Sequence, residues 1–99
     1  MPIFKPGVDH RNLSYHITGK YNDIDEVHQN IVGREAIITS GRDGRHMANS
    51  RHYSGLAIDL RTRDILFKAE ELVEALKNKL GNNYDIILEY DHIHLEYDP

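Results

Sequence analysis

Two short segments of the chain concentrate the residue types that bind metal ions, and they span residues 50–59 and 89–94. A hydrolytic zinc site needs three protein ligands and one open position. His52, Asp59 and His94 would supply two imidazoles and one carboxylate. The sequence contains no cysteine, so any bound metal must be held by histidine, aspartate or glutamate.

The spacing within each segment limits how these side chains can meet. Regular strand alternation would place His52 and Asp59 on opposite faces, but a loop through residues 54–55 removes that conflict, since His52 then precedes the strand. His92 and His94 are two residues apart and share a face of their strand. Taken singly, a histidine is usually a surface residue and a strand aspartate usually pairs with an arginine, so each spacing alone is a weak indication.

Arginine is concentrated in the middle of the chain. Five of the seven arginines lie within 22 residues, and these are Arg42, Arg45, Arg51, Arg61 and Arg63. Two interpretations stay open, a solvated basic loop and a pocket for an anionic ligand, because guanidinium groups suit carboxylate recognition.

The spacing of apolar residues predicts the elements that must position these groups. Two helices are expected, over about residues 23–31 and 65–80. Strands are expected at residues 35–40, 56–62, 84–90 and 93–97, and a further short strand at Leu13–Thr18 within an otherwise irregular arm of residues 1–22.

Glycine and aspartate mark the ends of these elements. Gly33 and Gly81 are typical of positions just past a helix C-terminus. Asp64 is predicted to cap the start of the second helix. The last two strands would pair around a tight turn at Asp91-His92.

The strand at residues 56–62 alternates between an apolar face and a polar one. Its apolar face carries Leu56, Ile58 and Leu60, and its other face carries Ala57, Asp59 and Arg61. Because predicted strands outnumber helices, we expect an α+β fold with a small, largely antiparallel sheet and two helices packed on it.

Length and composition exclude several classes of protein. Ninety-nine residues form a single domain, over residues 1–99, and 39% hydrophobic with 28% charged residues indicates a globular chain. The net charge of −4 argues against a nucleic-acid binder, and no apolar run approaches the ~20 residues of a membrane helix. The first residues lack a secretory signal pattern. We therefore expect a monomer that is cytoplasmic as synthesised and binds neither nucleic acid nor membrane.

The two segments resemble the paired signatures of a zinc peptidase family. The first segment follows the pattern Ser50-x-His52-x-x-Gly55-x-Ala57-x-Asp59 and is similar to the zinc signature of D-alanyl-D-alanine carboxypeptidases, which share a fold with the hedgehog signalling domain. The second, Asp91-His92-Ile93-His94, resembles the family's second signature, with an acid three residues before the last histidine. The resemblance covers about residues 35–97, and residues 39–53 also resemble the hedgehog domain.

The resemblance implies a role for each matching residue. Zinc would bind His52, Asp59 and His94. Asp91 would be the general base and proton shuttle, with Glu89 as the alternative. The remaining catalytic candidates are His92 as a second histidine near the metal, His46 facing the cleft, and Arg42 as the group that polarises the scissile carbonyl. Arg42 lies one residue too early for the common form of that motif. Only Asp43 matches the calcium-binding acids of the hedgehog domain, so calcium is not predicted.

The function implied is hydrolysis of peptide bonds in the stem peptides of bacterial peptidoglycan. Both D-Ala-D-Ala carboxypeptidase and L-Ala-D-Glu endopeptidase chemistry fit the signatures. The chain resembles a compact phage lysis enzyme or a cytoplasmic bacterial enzyme that would reach the wall after lysis, holin release or injection. The alternative hypothesis is a hedgehog-like, zinc-containing binding module without hydrolase activity, and a third is a domain without metal.

Overall fold

The computed structural model describes residues 1–43 and 50–99 of the chain. The strands are β1 (Ile3–Phe4), β2 (Ile37–Ser40), β3 (Ala57–Arg61), β4 (Tyr84–Leu88) and β5 (His92–Tyr97). The α-helices are α1 (Tyr15–Thr18), α2 (Tyr21–Val32) and α3 (Ala69–Leu80), and a 3-10 turn at Leu66–Lys68 leads into α3.

The five strands form one mixed sheet in the order β1-β2-β3-β5-β4. β1 pairs with β2 in parallel, and the other three pairings are antiparallel. The predicted α+β class is confirmed, with α2 and α3 contacting each other and α3 packing beside β4. No helix in the described part of the chain is long and apolar enough to cross a membrane.

The hydrophobic core lies between the sheet and the two long helices. From the strands it takes Ile58, Leu60, Ile86, Ile93 and Leu95, and from the helices Ile24, Val27, Leu72, Val73 and Leu76. Since successive strand residues point to opposite faces, the face away from the helices carries Asp59 and Arg61 from β3 and His92 and His94 from β5. The sheet thus separates a packed apolar side from a side that holds the polar candidates.

The helix ends follow the glycines. Gly33 closes α2 with φ of +88°, and its N–H donates to the carbonyl of Gln29. Gly81 closes α3 with φ of +86°. Glycine adopts a φ in this range readily, whereas other residues do so rarely. The helix ends predicted at Gly33 and Gly81 are therefore confirmed.

The N-terminal arm is more ordered than the sequence predicts. The prediction of a strand at Leu13–Thr18 is wrong, because Tyr15–Thr18 forms a short helix. The Ser14 hydroxyl caps the start of this helix. The arm also supplies β1 at Ile3–Phe4, which the sequence analysis did not identify. Two residues are too short a strand to show alternation, so no periodic signal marks it.

The prediction that Asp64 caps the start of the second long helix is also wrong. Among the described residues, no side chain caps the start of the 3-10 turn or of α3. The Asp64 carboxylate is instead paired with the guanidinium groups of Arg34 and Arg61, the latter at 3.2 Å. An ion pair with two guanidinium groups competes for the oxygens that a cap would need.

The turn between the last two strands lies slightly earlier than predicted. β4 ends at Leu88 and β5 begins at His92, so residues 89–91 make the connection. The Glu89 N–H donates to the His92 carbonyl at 2.8 Å and closes this turn. His92 is therefore a strand residue.

Candidate metal centre

Three polar side chains converge on the open face of the sheet. Asp59 on β3 and His94 on β5 are direct partners in the antiparallel register. His52 reaches them from the turn that precedes β3 and is only 2% exposed. The turn ends at Gly55, whose φ of +76° lets the chain reverse direction before β3 begins. Because His52 lies before this turn, as predicted, strand alternation does not keep it away from Asp59.

The three donor atoms form a nearly equilateral triangle. Asp59 Oδ1 lies 3.1 Å from His52 Nε2 and 3.3 Å from His94 Nδ1. The two imidazole nitrogens are 3.3 Å apart. A tetrahedral ion with ligand bonds of about 2.0–2.1 Å needs donor atoms about 3.3–3.4 Å apart. The spacing therefore fits one small divalent metal ion with three protein ligands.

Each imidazole is oriented by a second partner. Nδ1 of His52 lies 2.8 Å from the carbonyl oxygen of Gly41, and Nε2 of His94 lies 2.6 Å from a carboxylate oxygen of Glu96. Since both partners only accept hydrogen bonds, these ring nitrogens carry the protons. The opposite nitrogens are then the ones that face Asp59, as metal ligation requires.

The protonation states of Asp59 and His94 depend on each other. Burial by itself would raise the pKa of Asp59, but hydrogen bonds from His52 and His94 outweigh it and hold that pKa well below its usual range. The hydrogen bond to Asp59 raises the pKa of His94 to about 9, with burial opposing and Glu96 adding to the shift. Two imidazole nitrogens and one carboxylate oxygen that face one another are ligand types that suit a divalent cation, so the donor chemistry fits a metal ion.

His92 and Asp91 extend the site along the sheet. Nε2 of His92 lies 3.6 Å from Asp59 Oδ1, and its Nδ1 lies 2.6 Å from a carboxylate oxygen of Asp91. The Asp91 side chain is 74% exposed. The structure therefore places Asp91 against His92, and His92 between Asp91 and the donor triangle.

Glu89 lies outside this arrangement. Its side chain is exposed in the turn, and it does not line the cleft that Asp59, Asp91 and His92 share. Of the two acids that the sequence proposed as a base, only Asp91 borders the site.

The N-terminal arm holds the loop that orients His52. The Asp43 carboxylate accepts hydrogen bonds from the N–H groups of Asp9 and Gly41, at 2.7 and 2.9 Å. The Arg42 N–H donates to the Asp9 carbonyl at 2.8 Å. The arm approaches so closely that a β-carbon on Gly41 would lie 2.4 Å from that carbonyl oxygen. The acceptor of His52 is thus fixed by contacts with residues far away in sequence.

A cleft of about 690 Å³ opens beside the donor triangle. Its lining includes the acidic residues Asp43, Asp59 and Asp91 together with His92, and the basic residues Lys5, Arg61 and Arg63. Two of the five clustered arginines therefore reach the cleft. Arg51 instead pairs with Glu96 at 3.4 Å and Asp98 at 2.9 Å.

The other predicted catalytic residues do not join the described site. Arg42 is half-buried, its backbone is tied to the arm, and it does not line the cleft. His46 and Arg45 lie outside the described residues.

Three groups at the site were missed by the sequence analysis. Glu96 had a usable signal, because it lies two residues from His94 on the same strand face. The Gly41 carbonyl had none, since every residue carries a carbonyl. Lys5 had none either, because only the pairing of β1 with β2 brings it near β3.

Comparison of the chain with protein-family models, with curated proteins and with solved structures gave no match.

Proposed function

We propose that the protein is a zinc-dependent peptidase that acts on peptidoglycan stem peptides. The observation that supports it is the triangle of His52, Asp59 and His94 donors with edges of 3.1–3.3 Å, each imidazole already held by an outer partner. Two histidines, one carboxylate and an accessible cleft are the ligand set of hydrolytic zinc sites, which keep one position open. A purely structural zinc site would have four protein ligands.

Zinc bound here would lower the pKa of a water molecule towards neutrality and polarise the substrate carbonyl. The chain would contribute the buried carboxylate of Asp59, and the Gly41 carbonyl and Glu96 would keep both imidazoles in the ligating tautomer. Outer partners of this kind keep the donors in position before the metal arrives.

The His92–Asp91 pair is the proposed proton carrier. Asp91 accepts the Nδ1 proton of His92, which leaves a lone pair on Nε2, the nitrogen on the side of the donor triangle. His92 would take a proton from the attacking water at Nε2 and return it to the leaving amine. Asp91 would stabilise the imidazolium that forms. In this proposal the acid that the resemblance identifies as the base acts through its neighbour.

The proposal includes a fold of the hedgehog and D-Ala-D-Ala peptidase type. It is supported by the order of the ligands in the sheet, with one histidine before β3, the aspartate on β3 and the last histidine on the neighbouring β5. The alternative is a metal-containing binding module. The His92–Asp91 pair favours the peptidase, because a site that only binds needs no oriented proton carrier.

The test is mass spectrometry of purified peptidoglycan fragments after incubation with zinc-loaded protein. We expect the wild type to release peptide products and the His94→Ala variant to release none, with zinc content reduced in that variant. The masses of the products distinguish carboxypeptidase from endopeptidase cleavage. A wild type that holds one zinc per chain and cleaves no fragment would establish the binding module instead.

A further inference from the structure

The sheet ends on one side in β4, and the outer edge of this strand has no neighbour. Among the described residues, β4 pairs with β5 alone, over the five residues Tyr84–Leu88. At the opposite side of the sheet, the edge strand β1 is only two residues long. A free edge presents backbone N–H and C=O groups to any chain that can pair with them. β4 is therefore the longer template for an added strand.

Hydrogen bonds at the two ends of the last hairpin show how the backbone of β4 is oriented. The Glu89 N–H donates to the His92 carbonyl, and the Asp98 N–H donates to the Asn83 carbonyl. Antiparallel partners alternate between hydrogen-bonded and non-hydrogen-bonded pairs. The odd-numbered residues of β4 therefore bond to β5, and the backbone groups of the even-numbered residues point outward.

This outer edge lacks the features that commonly prevent strand pairing. The N–H and C=O groups of Ile86 and Leu88 point away from β5, and within the described part of the chain they have no hydrogen-bond partner. β4 contains no lysine, no proline and no bulge. Ile87 and Leu88 expose 43% and 37% of their surface. A flat apolar edge without such protection is a surface on which strands associate.

A second copy of β4 fits this edge in one antiparallel register. A two-fold axis at Ile86 opposes all five residues of the strand and places Asp85 beside Ile87 of the second copy. An axis at Ile87 would oppose Asp85 and Glu89, and an axis at Asp85 would oppose two copies of the same carboxylate. Like charges directly opposite each other are destabilising, so the axis at Ile86 is favoured.

Helix α3 adds charge complementarity beside the same edge. It packs on β4, and three residues join the two elements, so they run antiparallel. Lys79 pairs with Glu26 of α2 at 3.5 Å, so that flank of α3 faces α2. Since successive helix residues are about 100° apart, Glu70 and Lys77 lie on the opposite flank, towards the edge of β4.

The order of charges along α3 suits a two-fold axis. Its first turn carries Glu70 and Glu71, and its last turn carries Lys77 and Lys79. A two-fold axis at the middle of β4 sets the first turn of one helix beside the last turn of the other. Glu70 then faces Lys77 of the second copy, on both sides of the axis.

We propose that β4 is a homodimer interface, at which two copies of this chain join their sheets around a two-fold axis at Ile86. The occupant is a second copy because the edge matches itself in register and α3 matches itself in charge. The cleft is lined from the other side of the sheet, by β1, β2 and β3, so the dimer leaves it open. The proposal replaces the expectation of a monomer. One strand edge and one helix flank make a small interface, for which we expect a Kd on the order of 10–100 μM.

Sedimentation velocity of the full chain, from low-micromolar to near-millimolar concentration, measures this association. Leu88→Lys puts a charge into the paired edge and should weaken association by about 10-fold or more. Leu88→Pro, which removes an outward N–H and no bond to β5, should have the same effect. Leu66→Lys is the matched control, because Leu66 is an exposed leucine outside β4 and α3, and it should keep the wild-type Kd. Thermal unfolding at low concentration checks that each variant is folded.

Charge reversal tests the contact between the two α3 helices. Lys77→Glu opposes Glu70 of the second copy with a like charge and should weaken association by about 3- to 10-fold. Adding Glu70→Lys to that variant restores opposite charges and should recover the wild-type Kd. The loss in the single variant should shrink as salt is added.

Cysteine cross-linking reports the register, since the natural chain contains no cysteine. Facing residues of a non-hydrogen-bonded pair have Cα atoms about 4.5 Å apart, which is within disulfide range. An equimolar mixture of the Asp85→Cys and Ile87→Cys proteins should therefore form a linked dimer after mild oxidation. Each of the two proteins by itself should stay unlinked.

The inference is overturned if the wild type stays monomeric at near-millimolar concentration, or if Leu88→Lys and Leu88→Pro both associate like the wild type. It is also overturned if the mixture does not cross-link or if the charge reversal is not recovered by Glu70→Lys. Cross-linking of the Ile87→Cys protein alone would place the axis at Ile87 and refute the register. None of these outcomes depends on zinc or on peptide cleavage, so the proposed function is tested separately.

Discussion

Replacing Gly41 by alanine tests whether the N-terminal arm controls the metal centre. The new β-carbon would lie 2.4 Å from the Asp9 carbonyl oxygen, whereas ordinary contacts begin at 3.4 Å. Either the arm or the Gly41 backbone must therefore move by about 1 Å. The Gly41 carbonyl accepts the Nδ1 proton of His52 at 2.8 Å, so a shift of this size breaks or bends that hydrogen bond.

Two consequences have magnitudes that can be measured. Overpacking against backbone costs about 1–3 kcal/mol, which lowers the Tm of a domain of this size by about 4–8 °C for each kcal/mol. Loss of an outer partner of a ligating histidine weakens metal binding by about 10- to 100-fold. We expect Gly41→Ala to show both effects.

The assay is competition for zinc against a chromophoric chelator, combined with thermal unfolding with and without zinc. Gly33→Ala is the control, since its φ of +88° strains an alanine while, apart from its own chain neighbours, no described residue has an atom within 4 Å of the new β-carbon. It should lose about 1–2 kcal/mol of stability and keep the wild-type zinc affinity. If Gly41→Ala also keeps that affinity while losing stability, the Gly41 carbonyl does not orient His52 and the reasoning is refuted.

Two further predictions concern the proton chemistry. Asp91→Asn should keep zinc and fold but lose peptidase activity by about 100-fold or more, because it removes the negative charge beside His92. Glu89→Gln, the control, should lose far less activity. If the measured kcat falls more in Glu89→Gln than in Asp91→Asn, Glu89 is the functional acid. Since the pKa of His94 is raised to about 9 from 6.5, the metal-free protein gains stability that is complete below pH 6.5 and is lost as the pH rises through 9. Thermal unfolding in chelator at pH 6.5 and 9.5 should show this fall for the wild type and a smaller one for His94→Ala, and equal falls would contradict the assigned pKa.

The order of the elements from α2 onward could be predicted because each of them carries its own local signal, whereas β1 and α1 could not. Apolar spacing marks α2 and α3, alternation marks β3, and Gly33 and Gly81 mark the helix ends. The grouping of His52, Asp59 and His94 was also accessible, since one motif holds His52 and Asp59 and the second motif supplies His94. The pairing of β3 with β5, which the sequence did not predict, brings the two motifs together.

The orientation of these groups was decided by tertiary structure. Asp91 contacts His92 because the turn lies at residues 89–91, and the position of a turn depends on strand register. The Gly41 carbonyl orients His52 because the arm packs on its loop, and a backbone carbonyl has no identity in a sequence. Lys5 reaches the cleft only through the parallel pairing of β1 with β2. Sequence spacing determines which residues share a face, whereas contacts between distant segments determine where the atoms on that face point.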